Sequence, residues 1–446
     1  MDWSPSSWQS RPSSQPFAYR DPSELDRAVE KLRTLPPLVT SWEIERLKAF
    51  LADAEEGKRF LLQGGDCAET LDDCRPPIVT SKLKILLQMS LVLLHGLKQP
   101  IIRVGRFAGQ YAKPRSAPEE TRNGQTFPSY FGDLINRPAF DESSRAFDPN
   151  LLVAGYTHAA MTLNFIRSLT AAGFADVHHP EQWDLAFASR AGLSQELREE
   201  YTKTVATLSE AIRFMEALSE KAVDDLTRVE FFTSHEGLNL HYEAAQTRTV
   251  PRREGYYDLT THLPWIGERT RDPAGAHVEF FRGVQNPLGV KVGPSVTPDA
   301  MRRLADILNP GNARGKIVWI TRMGAERTHL IEPLVRAAQQ EGMAGLWVSD
   351  PMHGNTRVTA SGIKTRSFDD IEREIERTHE VHRALGSRLG GVHFELTGED
   401  VTECTGGGLE EEDLDKNYVS VCDPRLNYRQ ALEMGFGLAR LLAPRA

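Results

Sequence analysis

Residues Lys58 to Thr70 read KRFLLQGGDCAET, a short apolar run that ends in two glycines, an aspartate, a cysteine and a glutamate. Phe60, Leu61 and Leu62 are continuous in polarity, the mark of a strand buried on both faces, as in a parallel sheet. Gly64 and Gly65 read as a flexible stop, where the backbone can turn and approach a ligand. Asp66, Cys67 and Glu69 then fall at the carboxyl end of the strand, where parallel-sheet enzymes carry their chemistry. Taken alone, the stretch also fits a solvated βα loop with an incidental cysteine.

The same design recurs outward along the chain. Short apolar runs at Ile101–Gly105, Val229–Thr233, Leu263–Ile266, Gly289–Val292, Ile317–Thr321, Leu346–Ser349 and Val392–Leu396 alternate with helical periodicity and, with Phe60–Gln63, make eight. This predicts an α/β fold of the (β/α)8 TIM barrel class, with an N-terminal extension and inserted helices; a doubly wound open sheet is the competitor. The gap from Tyr111 to Arg228 exceeds one crossover and predicts inserted helices at Leu151–Ala172 and Ser194–Lys221. Ahead of the barrel, residues 1–57 read as an arm pinned by Trp3, Trp8 and Phe17, then two helices. The first presents Leu25, Val29 and Leu32 and stops at Pro36-Pro37; the second starts at a Thr40–Glu43 capping box and presents Ile44, Leu47 and Leu51. The prefix is expected to cover the closed end of the barrel or to make a subunit contact. Residues 58–446 are then the catalytic barrel, with the helical insertion at about 140–227.

A net charge of -9 over 446 residues, without a basic block, points to small-molecule partners and away from nucleic acid. Cys67, Cys74, Cys404 and Cys422 lack CxxC spacing, which suits free thiols in a reducing compartment. The Ser/Pro/Gln-rich start has no apolar centre, and Leu83–Leu97 is interrupted by Lys84, Gln88, Ser90 and His95. The expectation is a cytoplasmic protein with no membrane span, Leu83–Leu97 being a buried helix.

Nearly every candidate strand ends in a charged or metal-capable residue. Arg106, Lys113, Arg115 and Ser116 follow the second, Glu268 and Arg269 the fourth, and Arg322 the sixth; Lys291 ends the fifth. His353 follows the seventh, Glu395 lies on the eighth, and Cys422 and Asp423 come near the carboxyl terminus. One such residue means little, but a ring of them at one end of a barrel is a site. Arg106, Arg269, Lys291 and Arg322 suit a phosphate or other small anion. In GPSVTPD, Thr297 and Pro298 read as N-cap and first helical residue, which would aim free N–H groups at the same anion. Cys67, His353, Glu395 and Asp423 match no spacing rule, yet thiolate, imidazole and two carboxylates would suit a divalent transition metal. His235 and Glu236 in SHEG read as orienting neighbours, and His178-His179 carries no metal reading, because adjacent side chains diverge.

QGGDCAE, RVGRFAGQYAKPRS, SHEG, WIGERTR, KVGPS, ITRMG, DPMHGNT, HFELTGEDVTEC and CDPRLN stand in this order along nearly the whole chain. In these motifs the chain resembles the type II 3-deoxy-D-arabino-heptulosonate 7-phosphate (DAHP) synthases. The resemblance implies a (β/α)8 barrel that condenses phosphoenolpyruvate with D-erythrose 4-phosphate, releasing phosphate, as the first step of the shikimate pathway. It implies Cys67, His353, Glu395 and Asp423 as ligands of a divalent metal, Mn2+ first and Co2+, Fe2+ or Zn2+ next. It implies Arg106, Glu268, Arg269, Lys291 and Arg322 as the phosphoenolpyruvate site and Lys113, Pro114, Arg115 and Ser116 as the aldose-phosphate contact. Lys113 is expected to donate to the developing alkoxide, and Glu268 to hold or activate water. Also implied are a homodimer or homotetramer, aromatic amino acid effectors and a chorismate mutase partner. Because the motifs of Cys67 and Cys422 are expected to meet at the metal, a crosslink between them on oxidation is a further expectation, with an unreactive Cys422 as its alternative. The alternatives are another metal-dependent phosphosugar aldolase, a DAHP synthase dedicated to secondary metabolism, and a silent sensor that keeps the anion pocket.

Overall fold

The computed structural model describes residues 2–171, 194–219 and 230–444. Eight parallel strands, β1 (Phe60–Gly65), β2 (Ile101–Arg106), β3 (Phe232–Glu236), β4 (Leu263–Ile266), β5 (Leu288–Val292), β6 (Ile317–Thr321), β7 (Leu346–Ser349) and β8 (Gly391–Glu395), close into a barrel in chain order. β1 completes it by pairing with β8, Gly65 opposite Glu395, and with β2, Gly65 opposite Arg106. This is the (β/α)8 TIM barrel.

Two features of the strands differ from the sequence reading. Gly64 and Gly65 do not stop β1 but belong to it; at Gly65 φ is +146°, and a Cβ would lie 2.8 Å from the Arg106 carbonyl oxygen. A glycine there lets β1 and β2 approach closely enough to set Cys67 beside Arg106. β3 begins three residues later than expected and runs through the buried polar sequence FTSHE.

The inner barrel layer is apolar toward its amino end. Leu61, Ile102, Val104, Phe232, Leu263, Trp265, Val318, Ile320, Leu346 and Val348 share one cluster with Leu47, Leu51 and Ala54. These last come from α2 (Ser41–Glu55), which follows α1 (Pro22–Thr34) and begins at the Thr40–Glu43 capping box. The face of α2 thus plugs the closed end of the barrel, and burying its two leucines contributes roughly 3–6 kcal/mol.

On the outside, α3 (Pro76–Leu97) packs against the helix Tyr428–Leu442, with Gly96 against Ala439. It has 22 residues, longer than its apolar run suggested, and is the one helix among the described residues long and apolar enough to cross a membrane. Here its length is packed in the core. The insertion after β2 holds α4 (Asn150–Ala171) and α5 (Gln195–Ser219); His178 and His179 lie outside the described residues. The later crossovers are α6 (Pro298–Leu308), α7 (Ile331–Glu341), α8 (Phe368–Ala384) and α9 (Tyr428–Leu442). Thr297 caps α6, accepting from Ala300 N–H, with Pro298 at its start.

The amino-terminal arm runs along the barrel wall toward the open end. The Trp3 indole donates to the Glu279 carbonyl at 3.0 Å, Trp8 meets His241 edge-on, and Phe17 meets Phe131 and Phe147. Ser14 Oγ donates to the Arg269 carbonyl at 2.6 Å. The Gln15 amide accepts from Arg115 N–H at 3.0 Å and donates to its carbonyl at 3.3 Å. The arm therefore clips together the loops after β2 and β4.

Candidate active site

At the carboxyl end of the strands the loops converge on a small cavity lined by Arg106, Lys113, Pro114, Glu236, Trp265, Glu268, Arg269, Lys291, Arg322 and His353, among others. The barrel supplies these by register. Arg106 ends β2, Glu236 ends β3, Lys291 lies in β5, and Arg322 and His353 follow β6 and β7. Each is fixed by a neighbour. Lys291 pairs with the fully buried Asp350, which also accepts from His353 Nδ1 at 2.7 Å, and Arg322 donates to the His353 carbonyl at 2.7 Å. Burial pushes the Lys291 ammonium down to about 8, with Asp350 opposing the fall and Arg106 adding to it. Burial disfavours the Asp350 charge too, but His353 and Lys291 overcome it and hold the carboxyl well below its ordinary range.

Beside the cavity, one donor atom each from Cys67, Glu395 and Asp423 lie within 4.8 Å of one another. His353 is not within that spacing of all three, but its Nε2 lies 2.9 Å from Glu395 Oε1. A cation already marks the centre of the group: Lys113 Nζ lies 2.6 Å from Cys67 Sγ, 3.1 Å from Glu395 Oε1 and 2.5 Å from Asp423 Oδ2. Burial would neutralise the Lys113 ammonium, but Asp423, Cys67 and Glu395 hold its value well above normal. Burial likewise works against the Glu395 charge, yet His353, Lys113, Arg366 and Arg106 keep that carboxyl well below its usual range. A soft sulfur, an imidazole and two carboxylates around a point that already attracts an ammonium fit a divalent transition metal.

Behind these side chains, Arg366 is fully buried and donates to Glu395 Oε2 at 2.6 Å and to the Pro424 carbonyl at 2.5 Å, so one guanidinium holds Glu395 and the backbone next to Asp423. Cys422 packs with Cys67 and Tyr130, and both thiols are free. Arg115 reaches Cys422 Sγ at 3.6 Å and Glu120 at 3.5 Å, while Ser116 is exposed and is not among the cavity's lining residues. Asp66 and Glu69, grouped with Cys67 in the sequence, turn away from the cavity. Asp66 pairs with Lys82 and Arg425, and Glu69 accepts the N–H groups of Ala108, Gly109 and Gln110. They shape the rim.

Two carboxylates face the cations of the cavity. Glu268 is engaged, accepting through Oε1 from Arg271 at 2.7 Å and Ser295 at 3.3 Å. Glu236 is buried, and among the described residues its Oε1 accepts no hydrogen bond. That oxygen sits so close to Gly267 that a Cβ there would be 1.9 Å away. Burial pushes the Glu236 carboxyl up to about 7 against the pull of Lys291, Lys113, Arg269 and Arg106. Sequence reasoning undervalued Glu236 and missed Asp350 and Arg366; DPMHG and the end of FTSHE held the only signals for the first two, a charge at a strand end.

A family model described as the class-II DAHP synthetase family matches residues 3–439. A phospho-2-dehydro-3-deoxyheptonate aldolase of Neurospora crassa is 46% identical over 456 residues, covering 98% of this chain and 94% of that protein. A protein of the same name from Streptomyces coelicolor is 42% identical, covering 97% and 96%. The AroG phospho-2-dehydro-3-deoxyheptonate aldolase of Mycolicibacterium smegmatis is 41% identical, covering 95% and 91%.

Proposed function

The chain belongs to the class-II DAHP synthetase family, and from that premise we propose how its open rim performs a metal-dependent condensation. The family and its relatives support an enzyme that joins phosphoenolpyruvate to erythrose 4-phosphate at the entry to the shikimate pathway. The observation that carries the mechanism is the convergence of Arg106, Lys113, Arg269, Lys291 and Arg322 on one cavity beside the Cys67, Glu395 and Asp423 cluster.

Phosphoenolpyruvate is a multiply charged anion, and a buried cradle of fixed cations binds it while offsetting repulsion from the second phosphate. Arg106, Arg269, Lys291 and Arg322 form that cradle, bordered by Glu268. Pro114 and Arg115 face the aldose phosphate, with Ser116 at the outer rim. Cys67, His353, Glu395 and Asp423 would hold the metal, Mn2+ foremost, with Co2+, Fe2+ or Zn2+ as substitutes. When bound, such an ion supplies Lewis acidity to the aldehyde oxygen of the sugar. Lys113, kept charged by its acidic neighbours, donates to the alkoxide that develops as the enol carbon attacks. Glu268 holds water near the reacting carbon.

The enzyme is cytoplasmic and a homodimer or homotetramer, with aromatic amino acids as effectors and chorismate mutase as a partner; family resemblance supports these readings. A groove between Trp8, Val29, Arg33 and Arg248 joins apolar and basic surface, as an amino acid effector would require. The test follows loss of phosphoenolpyruvate absorbance with erythrose 4-phosphate, with and without chelator, and identifies the seven-carbon product. Turnover that survives complete chelation would overturn the metal-dependent reading, and turnover only with a different aldehyde would favour another phosphosugar aldolase.

A further inference from the structure

A carboxylate is out of place in a cavity built to hold a multiply charged anion. Glu236 lines the same wall as Arg106, Lys113, Arg269 and Lys291, and its negative charge repels the ligand those four attract. Evolution of an anion site would discard such a group unless the reaction used it. Structural duty does not account for it either, because Oε1 is buried and accepts no hydrogen bond among the described residues. Its place is nevertheless fixed. Glu236 ends β3, its backbone N–H donates to Gln110 Oε1 at 2.9 Å, and its carboxylate leans on the bare Cα of Gly267.

Resting on the condensation proposed above, we propose that Glu236 is a catalytic residue, the carboxylate that takes a proton from the water adding to C2 of phosphoenolpyruvate and returns it to the departing phosphate. As C3 forms its bond to the aldehyde carbon, the carbonyl π pair moves to oxygen, which takes a proton from Lys113, and C2 becomes electron-poor. Water then adds to C2 through an oxygen lone pair; one O–H bond breaks and its proton passes to Glu236. In the collapse of the resulting tetrahedral centre, the C2–O bond to phosphorus breaks with its pair on the phosphate oxygen, which takes the proton back from Glu236. The C2 hydroxyl becomes a ketone as its proton goes to the Lys113 amine. Water is the only co-reactant, and both side chains end as they began.

Glu236 suits this double duty better than Glu268 does. Each carboxylate keeps one buried oxygen that accepts no hydrogen bond, but Glu268 is ion-paired with Arg271 at 2.7 Å, whereas Glu236 makes no ion pair among the described residues and burial raises its proton affinity toward neutrality, where a group can both accept and donate. The charged and titratable groups facing it are Arg106 at the end of β2, Lys113 from the loop that follows, Glu268 and Arg269 after β4, Lys291 from β5, Arg322 after β6 and His353 after β7. None but Glu236 and Glu268 is a carboxylate.

The test is Glu236→Gln, which keeps the shape and removes the base, assayed with phosphoenolpyruvate, erythrose 4-phosphate and Mn2+. The expected result is a fall in kcat of about 100-fold or more, with KM for phosphoenolpyruvate unchanged or lower because a repelling charge has gone. In the wild type, kcat/KM should rise with pH through about 7, the value to which burial pushes this carboxyl, and the variant should lose that limb. Glu236→Asp should keep the limb at an intermediate kcat, and it decides the matter if the glutamine variant does not fold. Turnover within about twofold of wild type, or a raised KM with the pH limb intact, would overturn the proposal. A wild-type enzyme that makes no seven-carbon product would sink the condensation itself, an outcome distinct from either variant result.

Discussion

Arg425→Met is the sharpest test of how this chain brings Cys67 and Asp423 together across more than 350 residues of sequence. Arg425 places its guanidinium between two fully buried carboxylates. It donates to Glu403 through Nε at 3.0 Å and Nη2 at 2.8 Å, and to Asp66 through Nη1 at 2.7 Å. Asp66 precedes Cys67 and Arg425 follows Asp423 by two positions, so this fork ties together the loops that carry Cys67 and Asp423. Methionine fills much of the volume but leaves Glu403 without its guanidinium partner and Asp66 with Lys82 alone. Breaking a buried pair by removing one partner costs about 3–5 kcal/mol. Over 446 residues, an unfolding entropy of ~2.1 cal/mol/K per residue makes each kcal/mol worth about 1 °C. Calorimetry should therefore show a melting temperature lower by about 3–5 °C, and titration of Mn2+ should show weaker binding as the loops separate. The double variant Arg425→Met/Glu403→Gln should regain part of the loss by removing the stranded charge. Lys82 and Arg425 overcome burial to hold the Asp66 carboxyl below its ordinary value, so its contribution is complete above the unfolded value and disappears as pH falls through the folded one. The difference between wild type and Arg425→Met should accordingly shrink in acid. A variant that melts within about 1 °C of wild type and binds Mn2+ equally well would refute the reasoning.

Lys113→Met should lower kcat by about 100-fold or more through loss of the alkoxide donor; full turnover would remove Lys113 from the chemistry. Lys291, pushed down to about 8 chiefly by burial, is charged below that value and neutral above it. Apparent affinity for phosphoenolpyruvate should therefore fall as pH rises past about 8, and a KM that stays level to pH ~9.5 would contradict this. Gln15→Leu breaks the clip on Arg115 and should raise KM for erythrose 4-phosphate about threefold with kcat unchanged. Equal rises for both substrates would show the arm to be general support.

The barrel was legible because a parallel sheet buries both faces of its strands, leaving short unbroken apolar runs such as IVWIT and LWVS. The reading slipped where strands turn polar. β3 runs through Ser234, His235 and Glu236, and hydropathy placed it on the preceding VEFFT instead. β1 and β2 likewise extend into Gly65 and Arg106, residues that look like loop. The ring of basic residues was readable because each stands at a strand end. The partners that orient them were not. Arg366 to Glu395, Lys291 to Asp350 and Arg425 to Asp66 join residues 29, 59 and 359 positions apart, and no local periodicity encodes such pairings.

The leucine face of α2 that stops the far end of the barrel has a kinetic consequence. A vessel sealed at its base has a single door. The deep occupant must enter before the shallow one, and traffic out must pass the same threshold. Lys291 and Arg106 sit well inside, whereas Arg115 and Ser116 stand at the lip. The three-carbon acid would then load first and the sugar would close over it, an order imposed by a helix with no part in the reaction.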